Sequence, residues 1–370
     1  MNHKVRWVAL ALFTFALGTM SLTEATTPTL STHRSAVLAL VQKVADWQIA
    51  NPAEYPSTDW TQAVGYMGMM ALARVSANPR YERVMMEISA KENAWELGPR
   101  PYVADDHAVG QTYLELYLRH RKAWMIAPTR TRFDWILEHP KEGGLEFTGD
   151  GKRDRWTWCD SLFMAPPTWV RLYAATGNRT YLDYMVANWW QTSDFLYDRQ
   201  EHLYFRDSTY FDKREQNGRK VFWSRGNGWV LAGLARVLEY LPKGHPARPR
   251  FVQQFRDMAG EILTLQQPDG LWRASLLDPE HYPQPETSGS GLYVFALAWG
   301  VNHRLLDPVR FRPAILRGWT ALAASVAPDG KLTHVQPIGA DPTRFDADHS
   351  EVFGVGAFLL AGSEVYRASH

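Results

Sequence analysis

The chain reads as an all-α protein, twelve helices in six pairs closed into an α/α toroid. Three observations lead there. Junctions of one kind recur along the chain, the segments between them have helical periodicity, and every second segment is rich in Gly, Ala and aromatic residues. Each junction combines a small polar or glycine exit, a Pro or Arg, and an aromatic soon after. They are Asn78-Pro79-Arg80-Tyr81, Pro128 to Phe133, Asn178-Arg179-Thr180-Tyr181, Pro246 to Phe251, and Asp307-Pro308 to Phe311. This is the chemistry of one helix stopping and another starting, with Asn or Asp as N-cap and Pro in the first turn. Their recurrence, roughly every 50 to 65 residues, marks a repeat.

The first helix is expected over residues 35–50, where Val37, Leu40, Val41, Val44 and Trp47 fall three and four apart. The second opens at Trp60 and Gln62 and runs through the Ala63 to Val75 stretch, and the fourth opens at Asp105, Asp106 and His107. Asp160 opens the sixth, and Leu182, Met185 and Trp189 give the seventh its helical period. Trp223, Arg225, Asn227 and Trp229 open the eighth, which continues from Gly228 to Tyr240; Glu286, Thr287 and Ser288 open the tenth. Asp348, His349 and Glu351 open the twelfth, expected over residues 351–367. Gly is a poor helix former, so its recurrence in the even-numbered helices predicts the close packing of an inner layer. The helices after the junctions carry more charge and form the outer layer. An open solenoid would need polar outer faces on its terminal helices; these are apolar, so they are expected to close the ring.

Bulk properties exclude several functions. Forty basic against thirty-nine acidic residues leave a net charge of +1, with no electrostatic footprint for nucleic acid. The single cysteine, Cys159, excludes an intrachain disulfide and a cysteine metal cluster, and is expected to be an inert buried thiol. Lys4 and Arg6, the apolar run from Trp7 to Leu22 and then Thr23-Glu24-Ala25 read as a secretory signal over residues 1–25. That predicts a secreted or periplasmic protein with one catalytic domain over residues 26–370 and no stable membrane insertion. Sixteen Trp exceed what a core needs, and carbohydrate sites are a common use for the surplus.

In such a ring the inner helices run the same way, so their N-termini meet at one rim. Trp60, Asp105, Asp106, His107, Asp160, Trp223, Arg225 and Trp229 all fall there. Asp160 lies in Trp156-Thr157-Trp158-Cys159-Asp160-Ser161-Leu162-Phe163-Met164. Desolvation among aromatics raises a carboxyl pKa and keeps its proton, which suits an acid acting on a sugar laid against flat rings. The alternative for Asp160 is an N-cap. Asp106 is the candidate neighbouring carboxylate that pushes Asp160 upward. Arg225, between Trp223 and Trp229, is a candidate clamp for a substrate carboxylate, with a structural ion pair as its alternative.

Two stretches, Trp158-Cys159-Asp160-Ser161-Leu162-Phe163-Met164-Ala165-Pro166-Pro167 and Phe222-Trp223-Ser224-Arg225-Gly226-Asn227-Gly228-Trp229, resemble the unsaturated rhamnogalacturonyl hydrolases of glycoside hydrolase family 105, related to the family 88 unsaturated glucuronyl hydrolases. Glu286 to Gly291 and Gly356 to Val365 support the likeness, which runs from Val37 to the C-terminus. The resemblance implies an (α/α)6 barrel and an oligosaccharide substrate, left by pectin lyases and ending in a 4,5-unsaturated galacturonate. It implies that the acid protonates C4 of the vinyl ether rather than the glycosidic oxygen, so the carboxylate-separation rule does not apply. Asp160 would be the general acid and base with Asp106 its partner; Trp158, Trp223, Arg225 and Trp229 would contact the sugar, with Trp60 and His107 beside them. It implies neither a metal nor an organic cofactor.

The likeness has a gap. The segment from Gly144 to Arg155 lacks the His expected shortly before the acid and offers Lys152, Arg153 and Arg155; the Arg206 to Arg214 stretch, with Asp207, also differs. The subsite after the uronate is therefore expected to be altered. The rival readings are an unsaturated glucuronyl hydrolase acting on glycosaminoglycan products and a non-catalytic sugar-binding toroid.

Overall fold

The computed structural model describes residues 33–150 and 152–369; the leader expected at residues 1–25, and Gly151, lie outside them. The outer layer is α1 (Arg34–Ala50), α3 (Arg80–Glu87, widening into a π turn over Ile88–Glu92), α6 (Ala127–Glu138), α9 (Arg179–Leu196), α11 (Arg248–Thr264) and α13 (Pro308–Ala324). The inner layer is α2 (Trp60–Val75), α4 (Ala104–His107) with α5 (Gly110–His120), α7 (Ser161–Met164) with α8 (Pro166–Thr176), α10 (Ser224–Leu238), α12 (Thr287–Asn302) and α14 (Val352–Ala368). Counting α4–α5 and α7–α8 as interrupted single helices gives twelve among the described residues. The sixth helix, the third of the inner layer, is not continuous. It breaks at Ala165 because Pro166 and Pro167 have no N–H to continue the ladder.

The junctions form as their chemistry requires. Asn178 accepts the Thr180 N–H and Asp307 the Val309 N–H, while Pro128 lies in the first turn of α6. Helix α11 starts two residues after Pro246. His245 Nδ1 accepts the Ala247 N–H at 3.2 Å and holds that stretch as a turn, leaving Pro249 in the first helical turn.

The ring closes because α14 packs against α2 on one side and α12 on the other, with α1 behind it. Glycine makes this possible. A Cβ on Gly68 of α2 would lie 2.7 Å from the Gly356 carbonyl oxygen of α14, and one on Gly233 of α10 would lie 2.4 Å from the Leu162 carbonyl oxygen. The inner walls therefore touch backbone to backbone. Long loops enter the inner helices at one rim, the one before α10 carrying a hairpin of β1 (Tyr197–Asp198) and β2 (Leu203–Tyr204). No helix among the described residues is long and apolar enough to cross a membrane.

Candidate active site

The site begins where the chain approaches α7. Trp158 bridges Asp207, and the Cys159 N–H donates to the Arg206 carbonyl at 2.8 Å. This pairing fixes the 156–160 segment against the chain leaving β2 and sets Arg206 beside Asp160. Asp160 occupies the N-cap position of α7, yet its carboxyl accepts no N–H from that helix. The capping alternative is therefore not what this side chain does. Among the described residues its hydrogen bond comes from the Cys159 thiol, at 3.4 Å to Oδ1. Gly226, at the start of α10, leaves room for it: a Cβ there would lie 3.0 Å from Cys159 Sγ and 3.5 Å from Asp160 Oδ1.

Burial pushes the Asp160 carboxyl above the usual carboxylate range. Arg206, the thiol hydrogen bond and Arg225 pull the other way, and Asp207 adds to the rise. Asp105, on α4, is buried too, and burial pushes it up to about 7 against the opposing charge of Arg153, with Asp160 adding to the rise. Arg153 Nη1 stands 3.6 Å from its Oδ2, beyond good hydrogen-bond range.

Asp106 corrects the sequence reading. Its carboxylate points away from this pair and is held by Arg100, which donates from its backbone N–H (2.6 Å), Nε (3.1 Å) and Nη2 (2.6 Å). The carboxylates coupled to Asp160 are Asp105 and Asp207. Successive residues on a helix point about 100° apart, so only one of two adjacent acids faces a given partner.

His107 is a core residue and does not line the site. Its Nε2–H donates to the Pro101 carbonyl at 2.7 Å, and its ring packs 4.9 Å from Phe133 and 6.2 Å from Trp169. Burial lowers its pKa to about 4, so the ring is neutral at neutral pH.

Arg225 is not an open clamp. Its guanidinium is enclosed, donating to the Gln336 carbonyl at 2.7 Å and the Pro337 carbonyl at 2.8 Å, with Trp223 and Phe353 on either side. It ties the loop before α14 to the ring. Trp223 shares that task through Nε1 to Gln336 Oε1 at 2.9 Å. Trp158 and Trp229 are buried as well, Trp229 against Phe163, whereas Trp60, stacked on Phe353 and edge-on to Trp229, keeps part of its ring exposed. Among the described residues no group of three or more His, Cys, Asp and Glu is arranged to hold a metal ion.

Comparison with known proteins now decides the family. The family model described as Glycosyl Hydrolase Family 88 matches residues 30–369. This chain belongs to glycosyl hydrolase family 88. Similar curated relatives are the unsaturated 3S-rhamnoglycuronyl hydrolases of Formosa agariphila (40% identical, over 90% of this chain and 92% of that one) and Alteromonas sp. strain LOR (37%, over 88% and 84%). A solved family 88 hydrolase from Bacteroides vulgatus superimposes with a TM-score of 0.81 at 30% identity, covering 90% of this chain and 99% of that one. The protein is therefore a glycoside hydrolase with an (α/α)6 barrel.

In this family 88 hydrolase, Asp105 takes the place expected of Asp106, and two further side chains, Arg206 and Phe147, join the surroundings of Asp160 and Trp158. Asp105 was visible next to Asp106, but helical phase could not be assigned between them. Arg206 and Phe147 sit in loops, and only folding makes them neighbours: the Arg206 guanidinium lies 4.5 Å from the Phe147 ring centroid. The available signal was negative, since both loops depart from the expected family pattern.

Proposed function

We propose that this hydrolase removes a 4,5-unsaturated uronate from the non-reducing end of lyase-generated oligosaccharides. The observation that carries this reading is Asp160: buried, uncapped, with its pKa raised, and coupled to a second acid, Asp105. A buried carboxyl whose pKa is raised holds its proton to higher pH than an ordinary acid and can give it to C4 of the vinyl ether. The π pair forms the C4–H bond and leaves C5 electron-poor, stabilised by the ring oxygen. Water then bonds to C5 and returns a proton to the Asp160 carboxylate. The resulting hemiketal opens, and the next sugar leaves as an alcohol. Asp105 is the partner that discourages early ionisation of Asp160. We assign the uronate carboxylate to Arg206, which acts on Asp160 and whose guanidinium, unlike that of Arg225, has a single hydrogen-bond partner among the described residues, Asp207.

Two observations support rhamnose after the uronate: the rhamnogalacturonan-type motifs, and the relatives named as unsaturated 3S-rhamnoglycuronyl hydrolases. We read that 3S as a sulfate half-ester on O3 of the rhamnose. Export of the protein is part of the same proposal, resting on residues 4–25 of the sequence, and N-terminal sequencing of the secreted form tests it.

The test is loss of ultraviolet absorbance from the conjugated double bond across a panel of unsaturated disaccharides. Wild type consumes the rhamnose-containing members fastest. Asp160→Asn lowers kcat about 10³-fold or more while leaving binding within about threefold. If wild type bleaches none of the panel, the hydrolase reading of this site fails. Faster turnover of a glycosaminoglycan product would move the assignment to a glucuronyl hydrolase.

A further inference from the structure

The loop entering α7 carries Lys152, Arg153 and Arg155, and their surroundings separate them. Arg155 is committed to structure: Nη1 donates to the Gly143 carbonyl at 2.8 Å and Nη2 donates to Gln191. Lys152 and Arg153 are not. Lys152 is exposed, with its ammonium 5.0 Å from the Phe147 ring centroid, and no carboxylate pairs with it among the described residues. Arg153 is part-exposed over Trp158, its guanidinium carbon 5.7 Å from the ring centroid, and the loose 3.6 Å approach to Asp105 is its ion pair. Nearby Asp154 is taken by Lys141 at 3.0 Å, and Asp207 by Arg206 and the Thr209 N–H.

The two rings that carry these cations adjoin each other. Phe147 and Trp158 have centroids 6.3 Å apart, and the Phe147 N–H donates to Ser208 Oγ at 2.9 Å, which anchors the loop to the chain leaving β2. Phe147 therefore touches both Arg206, a buried cation that acts on Asp160, and Lys152, an exposed one that does not rank among the charges acting on Asp160. Arg153 is paired with Asp105, which in turn interacts with Asp160. The uronate carboxylate hangs on C5, one of the reacting carbons, and must lie beside Asp160. A second oxyanion that meets Lys152 and Arg153 must come from the sugar after it.

We infer that Lys152 and Arg153 form an oxyanion subsite that holds a sulfate half-ester on the sugar following the unsaturated uronate. The subsite rests on the function proposed above and deepens it by assigning residues to the substrate's second charge. Aromatic bases beneath the cations restrict their rotamers, and charge-assisted hydrogen bonds to sulfate oxygens supply recognition. Drawing Arg153 onto the sulfate also loosens its hold on Asp105, so occupancy of the subsite favours the protonated acid pair.

Two unsaturated disaccharides that differ only in the 3-sulfate of the rhamnose test this, with Lys152→Ala and Arg153→Gln. Lys152→Ala is expected to raise KM for the sulfated substrate about tenfold and to leave the unsulfated one within about twofold. Arg153→Gln, which also takes a cation from Asp105, changes kcat on both substrates alike, with a further loss of about tenfold in kcat/KM on the sulfated one. Titrating Asp160→Asn protein with each disaccharide reads the same preference as affinity, independent of turnover. Equal losses on both substrates, or no preference of the parent protein for the sulfated one, overturn the subsite. Failure of wild type to hydrolyse either disaccharide, with the affinity preference intact, overturns the hydrolase reading and leaves the subsite standing.

Discussion

The two ends of the ring both bury acids, with opposite results. Toward the C-terminal ends of the inner helices, Glu115 is enclosed by Arg74 at 3.1 Å, Arg236 at 3.0 Å and Arg171 at 3.3 Å, with Glu239 bonding Arg74 and Arg171 from the other side. Burial pushes Glu115 up, but the three guanidinium groups outweigh it and bring its pKa down to about 2. At the N-terminal rim, Asp105 and Asp160 are equally enclosed, with fewer cations held less closely, and both rise. Burial alone therefore does not decide the state of an acid; the number and closeness of opposite charges does. One end is a charge lock that ties four inner helices together. The other is left undercompensated, and that is where proton transfer is available.

The largest expected effect tests the lock. Glu115→Gln leaves three arginines facing one remaining carboxylate, and chemical denaturation should show a loss of about 3–5 kcal/mol. The protein that stays folded should keep its kcat/KM. A comparable fall in kcat/KM would show that the two ends are not separable.

Asp105→Asn should do the reverse, lowering kcat/KM about 10²-fold in the bleaching assay while improving stability at alkaline pH. The folded pKa of Asp105 is about 7 against an ordinary 3.8, so its contribution to stability is full below about pH 4 and is lost as pH rises through about 7. Glu115 runs the other way: its contribution is present above its ordinary 4.5 and is lost as pH falls through about 2. Melting curves of Asp105→Asn and wild type should coincide near pH 4 and separate by pH 8, the variant melting higher. Curves that stay parallel across that range would break the contrast between the ends.

Smaller effects map the wall between them. Gly233→Ala forces a methyl group against the Leu162 carbonyl, two residues after Asp160, and should cost about 1–3 kcal/mol with a measurable fall in kcat. His107→Gln should cost about 1 kcal/mol in thermal unfolding, through lost ring packing, and leave KM unchanged. A raised KM would return His107 to the substrate site.

Much of this architecture is legible without coordinates. Asn178, Asp307 and Pro128 mark helix starts through local chemistry, and the glycines of the inner helices announce close packing before their partners are known. The Trp-rich surroundings of Asp160 likewise predict a desolvated acid, because Trp156, Trp158 and Phe163 all lie within four residues of it in the chain. Local information is enough for properties set by local neighbours.

Which acid faces Asp160, and whether Arg225 is open, were decided only in three dimensions. Asp105 and Asp106 are adjacent in sequence, but helical phase turns one toward Asp160 and the other toward Arg100. The carbonyls that enclose Arg225 belong to Gln336 and Pro337, more than a hundred residues away, and no pattern around Arg225 foretells them. Helix starts and ring closure follow from short-range periodicity, whereas the orientation and partners of a charged side chain depend on distant segments that meet only once the ring has closed.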